Sequence, residues 1–166
     1  MKAKMAKKLL DKVIQDLAHC KWLFVNDPGK DFTRKRKLPF EQIVRTILSM
    51  QGGSIANELM NAFGIRENLP TTSAFIQQRG KILPEAFETL LHLFSQASDE
   101  GKTYEGLRLL AVDGSDFVIA TNPSDTDSFF PGTEQQKPYN LLHLNAMYDL
   151  VQHVYVDAVL LDFLPG

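Results

Sequence analysis

The chain has one acidic residue in a setting where a carboxylate can do chemistry. Asp113 lies in the middle of the apolar stretch 107–120, and the four residues before it, 109–112, are all apolar. An ionised carboxylate among buried apolar side chains is costly unless hydrogen-bond donors or a metal ion pair with it. The pattern therefore favours a strand that carries a metal ligand or another paired carboxylate at its centre.

A second interpretation of the same residues is a β-hairpin. Asp113-Gly114 is a favourable type I′ turn pair, and two short strands, 109–112 and 115–119, would flank it. The four consecutive apolar residues favour instead a strand covered on both faces, as at the centre of a sheet. On these residues alone both alternatives stay open.

Two further groups of side chains are of the kind that bind nucleic acid. The segment 30–37 ends in four consecutive cations, which can contact phosphates. A predicted helix after residue 70 presents glutamine and arginine, which read adenine and guanine edges, and lysine, which contacts phosphate. The candidate DNA-binding residues are Arg34, Lys35, Arg36, Lys37, Gln77, Gln78, Arg79 and Lys81. For each group the alternative is an ordinary solvated surface.

The composition is that of a globular protein. Of the 166 residues, 44% are hydrophobic and 23% are charged, close to the globular average. No apolar run is long enough to cross a bilayer, and acids come too early for a signal peptide, so a cytoplasmic location without a membrane partner is expected. The single cysteine, Cys20, has no disulfide partner and no zinc-ligand spacing, and is predicted to face a small core from a helix.

The net charge of −2 conceals two halves of opposite sign. Residues 1–98 carry 15 Lys or Arg and 9 Asp or Glu, whereas residues 99–166 carry 3 and 11. A basic first half suits a polyanionic partner, and an acidic second half suits a cation site or simply solubility. Because the hydrophobic spacing also changes there, from helical to alternating, a domain boundary is predicted between residues 98 and 99.

The first half is predicted to be helical. Apolar residues recur at helical spacing in five segments separated by turn residues. The segments are 3–24, 40–50, 55–63, 74–82 and 85–97. Met5, Phe75 and Ile76 are expected to face the core. The two helices joined by Gly52-Gly53 are a helix-turn-helix candidate, although plain helical hairpins are more common.

The second half is predicted to form strands. After the strand that holds Asp113, residues 121–138 show no periodicity and are expected to form a long loop. Residues 139–150 and 153–163 alternate, so they are expected to pair as an antiparallel hairpin. Asp116 falls on the opposite face of its strand from Asp113. Three such strands without a covering helix would leave an apolar face bare.

Three motifs, in this order, resemble a family of DNA transposases. They are TTSAFIQQRGKI, LLAVDGS and NLLHLNAMYDLVQHVYVDAVL. Over residues 38–163 the chain is similar to the DDE transposases of the insertion-sequence-four family. The resemblance implies an α+β fold, in which a helical DNA-binding region, 1–98, precedes the first three antiparallel strands of a ribonuclease-H-like catalytic domain, 99–166. It implies as partners the terminal inverted repeats of a mobile element and a second copy of the chain, in a bacterial, nucleoid-associated setting.

The same resemblance implies that Asp113 is the first acid of the catalytic triad and a ligand of Mg²⁺ or Mn²⁺. In such enzymes two ions activate the attacking oxygen and stabilise the leaving oxygen at phosphorus. The second Asp and the Glu of the triad are expected beyond Gly166, whereas Asp149 and Asp157 match structural positions of the family. The chain as given is therefore expected to be an inactive amino-terminal fragment that binds no ion tightly.

Three functions follow as alternatives. The first is the amino-terminal part of a transposase that binds DNA at the ends of its element. The second is a non-catalytic DNA-binding protein that competes with a full-length transposase. The third is a helical interaction module without a nucleic acid partner.

Overall fold

The computed structural model describes residues 2–34, 37–65, 69–133 and 135–162. Lys35 and Arg36, two of the predicted DNA-binding residues, lie outside the described residues. The chain divides into two compact units, Met1–Phe94 and Ser95–Gly166. Across the described ranges the fold is α+β, with five α-helices and one antiparallel sheet of four strands. Over the same ranges no helix has the length and apolar character that crossing a membrane requires.

The helices form where the hydrophobic spacing predicts them, with differences at their ends. Their bounds are α1 Ala3–His19, α2 Phe40–Ser49, α3 Ile55–Phe63, α4 Thr72–Arg79 and α5 Glu85–Ser98. The first helix ends earlier than predicted, because the Cys20 N–H bonds to the Leu17 carbonyl and a short 3-10 turn, Lys21–Leu23, follows. Cys20 therefore caps a helix, which corrects its predicted place within one. The division between the two units falls inside α5.

Polar side chains fix the starts of two helices. Ser54 Oγ accepts an N–H from the first turn of α3 at 3.3 Å, and the Glu58 carboxylate reaches back to the Gly53 N–H at 2.7 Å. Thr71 Oγ1 accepts the Ala74 N–H at 3.2 Å at the start of α4. These bonds satisfy N–H groups that the first turn of a helix leaves unpaired. The cap at Thr71 thereby sets which α4 residues face outward.

The core of the helical unit is apolar. Its buried residues are Val13, Ile14, Leu17, Val25, Leu38, Phe40, Ile43, Val44, Leu59, Phe75, Ile82, Ala86 and Leu90. Two residues expected in this core are instead exposed: Met5 by 59% and Ile76 by 43%. Ile76 follows the buried Phe75 by one position, about 100° around the helix axis, and lies on the side of α4 that faces away from the core. Met5 lies in the first turn of α1, before the buried stripe begins at Val13.

In the second unit, one strand organises the sheet. The strands are β1 Leu110–Ile119, β2 Phe129–Phe130, β3 Tyr139–Asp149 and β4 Val154–Asp162. β3 pairs antiparallel with the other three, so the three long strands form the predicted meander. The short β2 corrects the expectation of a loop without structure over residues 121–138, because Phe129 pairs with Asn140. A two-residue strand has no periodicity for a sequence to display.

Asp113 lies in the middle of β1, opposite Ala146, and the ladder runs unbroken through Gly114. The hairpin alternative is therefore wrong. The expectation that the strand is covered on both faces is also wrong within the described residues, because most side chains of β1 are exposed. Val112 and Val118 are 64% and 71% exposed. A run of apolar residues makes both faces of a strand apolar. These faces are buried only where another helix or sheet packs on them, and the sheet residues themselves do not do so.

Candidate functional site

Two of the predicted DNA-binding segments line one cleft in the helical unit. The cleft has a volume of about 280 Å³ and lies between the loop after Pro28 and the carboxyl end of α4. Its lining includes Gly29, Lys30, Thr33, Arg34, Gln78 and Lys81. The fold thus brings Arg34 together with Gln78 and Lys81, which belong to separate segments of the sequence.

A buried carboxylate anchors this loop to the segment after α4. Asp31 is 9% exposed, accepts the Asp27 N–H at 3.1 Å, and pairs with Lys81 Nζ at 3.1 Å. The Asn26 N–H also bonds to the Lys81 carbonyl at 3.0 Å. A buried charge is stable only when it is paired and hydrogen-bonded, so these contacts hold the two walls of the cleft at a fixed separation.

The cations of the cleft differ in how far their charge is neutralised. Lys30 Nζ lies 3.1 Å from the Asp27 carboxylate, and this hydrogen bond lowers the Asp27 pKa from its ordinary value. Lys81 is paired with Asp31. Among the residues that the structure describes, no acid pairs with the exposed Arg34. Arg34 is therefore the cation most available to an anionic ligand.

A second cavity, of about 440 Å³, adjoins the first across Leu38 and Gln78. It is more apolar, with Pro70 and the predicted DNA-binding residue Lys37 in its lining. Gln78 is half-buried between the two cavities. The other two predicted residues of α4, Gln77 and Arg79, are exposed and line neither of these cavities.

The carboxylate of Asp113 is exposed on one face of β1. It accepts the Gly114 N–H at 3.0 Å. Across the sheet its neighbour on β3 is Ala146, which in turn pairs with Ala158 on β4. Directly opposite residues of antiparallel strands share a face, so the carboxylate stands beside a row of small side chains with open space above them.

The described residues do not make up a metal site. In that part of the chain no three His, Cys, Asp or Glu side chains lie close enough together to hold an ion. Asp116 is on the face opposite Asp113, and so is Asp157, which pairs with Met147. One carboxylate cannot hold the two-ion arrangement of a phosphoryl-transfer site.

Asp149 has the structural role expected of it. Its side chain is fully buried and accepts the N–H groups of Val151 and Gln152 at 3.0 and 2.9 Å, and Arg108 Nε at 2.7 Å. The hydrogen bond from Gln152 is the largest cause that lowers the pKa of Asp149 to about 2, against the opposing effect of burial. Asp149 thus fixes the turn between β3 and β4.

A histidine–aspartate pair on the other face of the sheet was not predicted. His143 Nδ1 donates to Asp116 Oδ1 at 2.6 Å, since an ionised carboxylate only accepts. This bond, with a smaller contribution from Asn145, raises the pKa of His143 above its ordinary value of 6.5. The ring crosses Gly114, where an added Cβ would lie 2.9 Å from it. Only the register of β1 on β3, not spacing along the chain, brings these residues together.

Comparison with known proteins gives no match: no family model, no curated protein and no solved structure matches this chain significantly. The cleft of the helical unit and the three sequence motifs are the observations that bear on function. The cleft carries more weight, because it brings together side chains from two segments that are distant in the sequence.

Proposed function

We propose that this chain is the amino-terminal part of a DNA transposase of the insertion-sequence-four type, and that its helical unit binds the DNA at the ends of the element. One observation carries the proposal: Arg34 and the pair Gln78 and Lys81, assigned to DNA from two distant segments, line the same cleft.

The chemistry of the cleft suits a nucleic acid. Arg34 in the cleft, and Lys37 in the adjoining cavity, can contact phosphate oxygens, and DNA releases condensed counterions when its phosphates are neutralised. Gln78 adds an amide that can donate and accept hydrogen bonds at a base edge. Lys30 and Lys81 contribute less, because each already pairs with an aspartate.

The second unit supports the transposase part of the proposal. Its three long strands form an antiparallel meander with Asp113 at the centre of the first, as expected for the opening strands of a ribonuclease-H-like domain. The parent enzyme would cleave and join DNA strands with Mg²⁺ or Mn²⁺. Residues 1–166 alone are proposed to bind DNA without catalysis, in the bacterial cytoplasm with the nucleoid, with a second copy of the chain as a further partner.

Fluorescence anisotropy with a labelled DNA duplex at low salt tests the binding. The double variant Arg34→Ala, Lys37→Ala should lose about tenfold or more in affinity, and its salt slope should fall by about 2 because two phosphate contacts are gone. The control, Lys7→Ala with Lys8→Ala, removes the same charge from the exposed side of α1 and should change little. Equal losses in both variants would contradict a specific role for the cleft.

The alternatives predict different results with the same protein. A non-catalytic competitor binds DNA equally well, but it should also inhibit strand transfer by a full-length transposase on the same end sequence. Strand transfer by this chain with Mg²⁺, abolished by Asp113→Asn, would overturn the expectation of inactivity. A helical interaction module would show no gel shift with any duplex at low salt.

A further inference from the structure

We propose that the 280 Å³ cleft holds a single unpaired nucleotide, with its base inside the cleft and its phosphate at Arg34. The inference rests on the proposed function, because the nucleotide would come mainly from an unpaired base of the bound DNA. A free nucleoside monophosphate has the same base and phosphate and is the other ligand that the cleft could take. Neither the sequence motifs nor the proposed duplex contacts assign a site for a separate base.

The cleft is larger than a contact to a single phosphate needs. Its volume of about 280 Å³ is near the lower end of the range for small-molecule sites, roughly 300 to 1000 Å³. A phosphate of duplex DNA needs only a flat cationic surface. A recessed volume of this size is therefore more than duplex binding requires.

The walls of the cleft include apolar surface that a phosphate would not use. Phe32 is half-buried in the lining, and Leu38, which is 4% exposed, closes the cleft. The Phe32 ring is held edge-on against Phe40, with centroids 5.7 Å apart. Bases bind to aromatic side chains on proteins that take single-stranded nucleic acid, because every base has a π-face.

Polar groups sit where a nucleotide would need them. The half-buried amide of Gln78 offers a donor and an acceptor side by side, which matches the edge of adenine. Arg34 offers its charge at the exposed rim. A purely apolar ligand would leave the charge of Arg34 without a role, whereas a nucleotide uses both the apolar wall and this cation.

The backbone of Phe32 supplies an independent observation. Its φ is 54°, in the left-handed region that non-glycine residues rarely adopt. Such strain persists only where neighbouring contacts impose it, and it concentrates at ligand sites. Here the Asp31 anchor and the contact with Phe40 impose it, and they turn the Phe32 ring into the cleft wall.

The test is a titration of the ¹⁵N-labelled full chain with dAMP, dCMP or inorganic phosphate, followed by amide chemical shifts. We expect dAMP to shift residues 29–34 and 78–81 and to bind more tightly than dCMP, with phosphate weaker than both. Gln78→Ala should weaken dAMP about tenfold, and Gln78→Glu should weaken it further, because the new charge repels the phosphate. Gln77→Ala, on the exposed neighbour outside the cleft, is the control and should bind as the wild type.

A second arm compares a blunt duplex with the same duplex carrying one unpaired 3′ adenine. The overhang should bind more tightly than the blunt duplex, and Gln78→Ala should remove that difference between the two. If phosphate binds as well as dAMP, or if neither dAMP nor the overhang gives any gain, the inference is overturned while duplex binding still stands. If dAMP binds in the cleft but no DNA does, the proposed function fails and the cleft is a site for a free nucleotide.

Discussion

The two units of the chain are held together by different kinds of contact. In the helical unit the buried core is apolar, and its members run from Val13 to Leu90. In the second unit every buried residue that the structure describes is polar: Ser95, Ser98, Ser128, Asn140, Asp149 and Gln152. The helical unit therefore depends on packed apolar volume, whereas the sheet depends on its ladders and on polar contacts at the strand ends.

The buried polar contacts of the described sheet lie in two places, one near each end of β3. At one end, Asn140 is fully buried and binds Asn122 and Ser128 across the long loop. At the other, Asp149 binds the turn to β4 and Arg108. Between them the sheet faces carry exposed apolar side chains such as those of Val118 and Leu160. The same substitution is therefore expected to have different costs in the two units.

The largest effect is expected in the apolar core. Phe75→Ala should lower the free energy of unfolding of the helical unit by about 3 to 5 kcal/mol, because a fully buried aromatic ring leaves a cavity. Urea denaturation followed by the fluorescence of Trp22, the single tryptophan, measures this. The control, Ile76→Ala, removes a side chain that is 43% exposed and should cost less than about 1 kcal/mol. Similar costs for the two variants would contradict an apolar basis for this unit.

A smaller effect is expected at the buried amide of the sheet. Asn140 accepts the Asn122 N–H at 2.7 Å and donates to Ser128 Oγ at 2.8 Å. Asn140→Ala should cost about 1 to 3 kcal/mol, because buried polar groups lose their partners. Hydrogen exchange at the Leu141 N–H, which bonds to the Ser128 carbonyl, reports the loss locally.

The control for that variant is Thr126→Ala, in the same loop but exposed, with one long hydrogen bond of 3.4 Å. It should leave exchange at Leu141 unchanged. If both variants leave the exchange rate unchanged, the polar contacts at this end of β3 do not stabilise the sheet.

Local signals predict the helices and the long strands well. Apolar spacing and the caps at Ser54 and Thr71 locate α3 and α4, because a helix buries one face and must satisfy its first N–H groups. Alternation locates β3 and β4 and assigns their faces. Asp113-Gly114 is ambiguous locally, since the same pair suits a turn or a strand, and only its ladder partners decide.

Contacts between distant segments could not be predicted in the same way. The cleft depends on the pairing of Asp31 with Lys81, which are 50 positions apart, and no spacing rule connects them. The pair of His143 with Asp116 depends on the register of two strands separated by a long loop. Each site residue is visible in the sequence as a chemical type, but its partner is set by tertiary structure.

An acid-dependent effect is expected at the second polar end of the sheet. The pKa of Asp149 is about 2, below the ordinary 3.8, because the folded state binds the carboxylate form. Its contribution to stability is therefore complete above about pH 4 and is lost as the pH falls towards about 2. The stability difference between wild type and Asp149→Asn should shrink over this interval in thermal melts.

Arg108→Gln is the matched variant for that test. It keeps Asp149 but removes the cation 2.7 Å from it, which raises the folded-state pKa of Asp149, so the acid-dependent loss should be smaller and should be complete at a higher pH than in the wild type. A stability difference between wild type and Asp149→Asn that stays constant between about pH 5 and about pH 2 would show that the Asp149 carboxylate does not gain its hydrogen bonds on folding.

The smallest effect is expected on the face that carries His143. Gly114→Ala would ordinarily favour a strand slightly, but its Cβ would lie 2.9 Å from the His143 ring and 3.0 Å from Asn145 Oδ1. The ring can swing towards solvent, which breaks its bond to Asp116. The pKa of His143, raised by that bond, should then fall towards 6.5, and NMR titration of the ring protons measures it.

Asp116→Asn separates the steric effect from the electrostatic one, because it removes the carboxylate and leaves Gly114 in place. It should lower the His143 pKa at least as far as Gly114→Ala does, and the double variant should lower it no further. The bond with Asp116 favours the protonated ring, so its contribution to stability is full below about pH 6.5 and is lost as the pH rises through the raised pKa. A His143 pKa that stays raised in Gly114→Ala would mean that strand and ring adjust together, and that the glycine is not required for the pair.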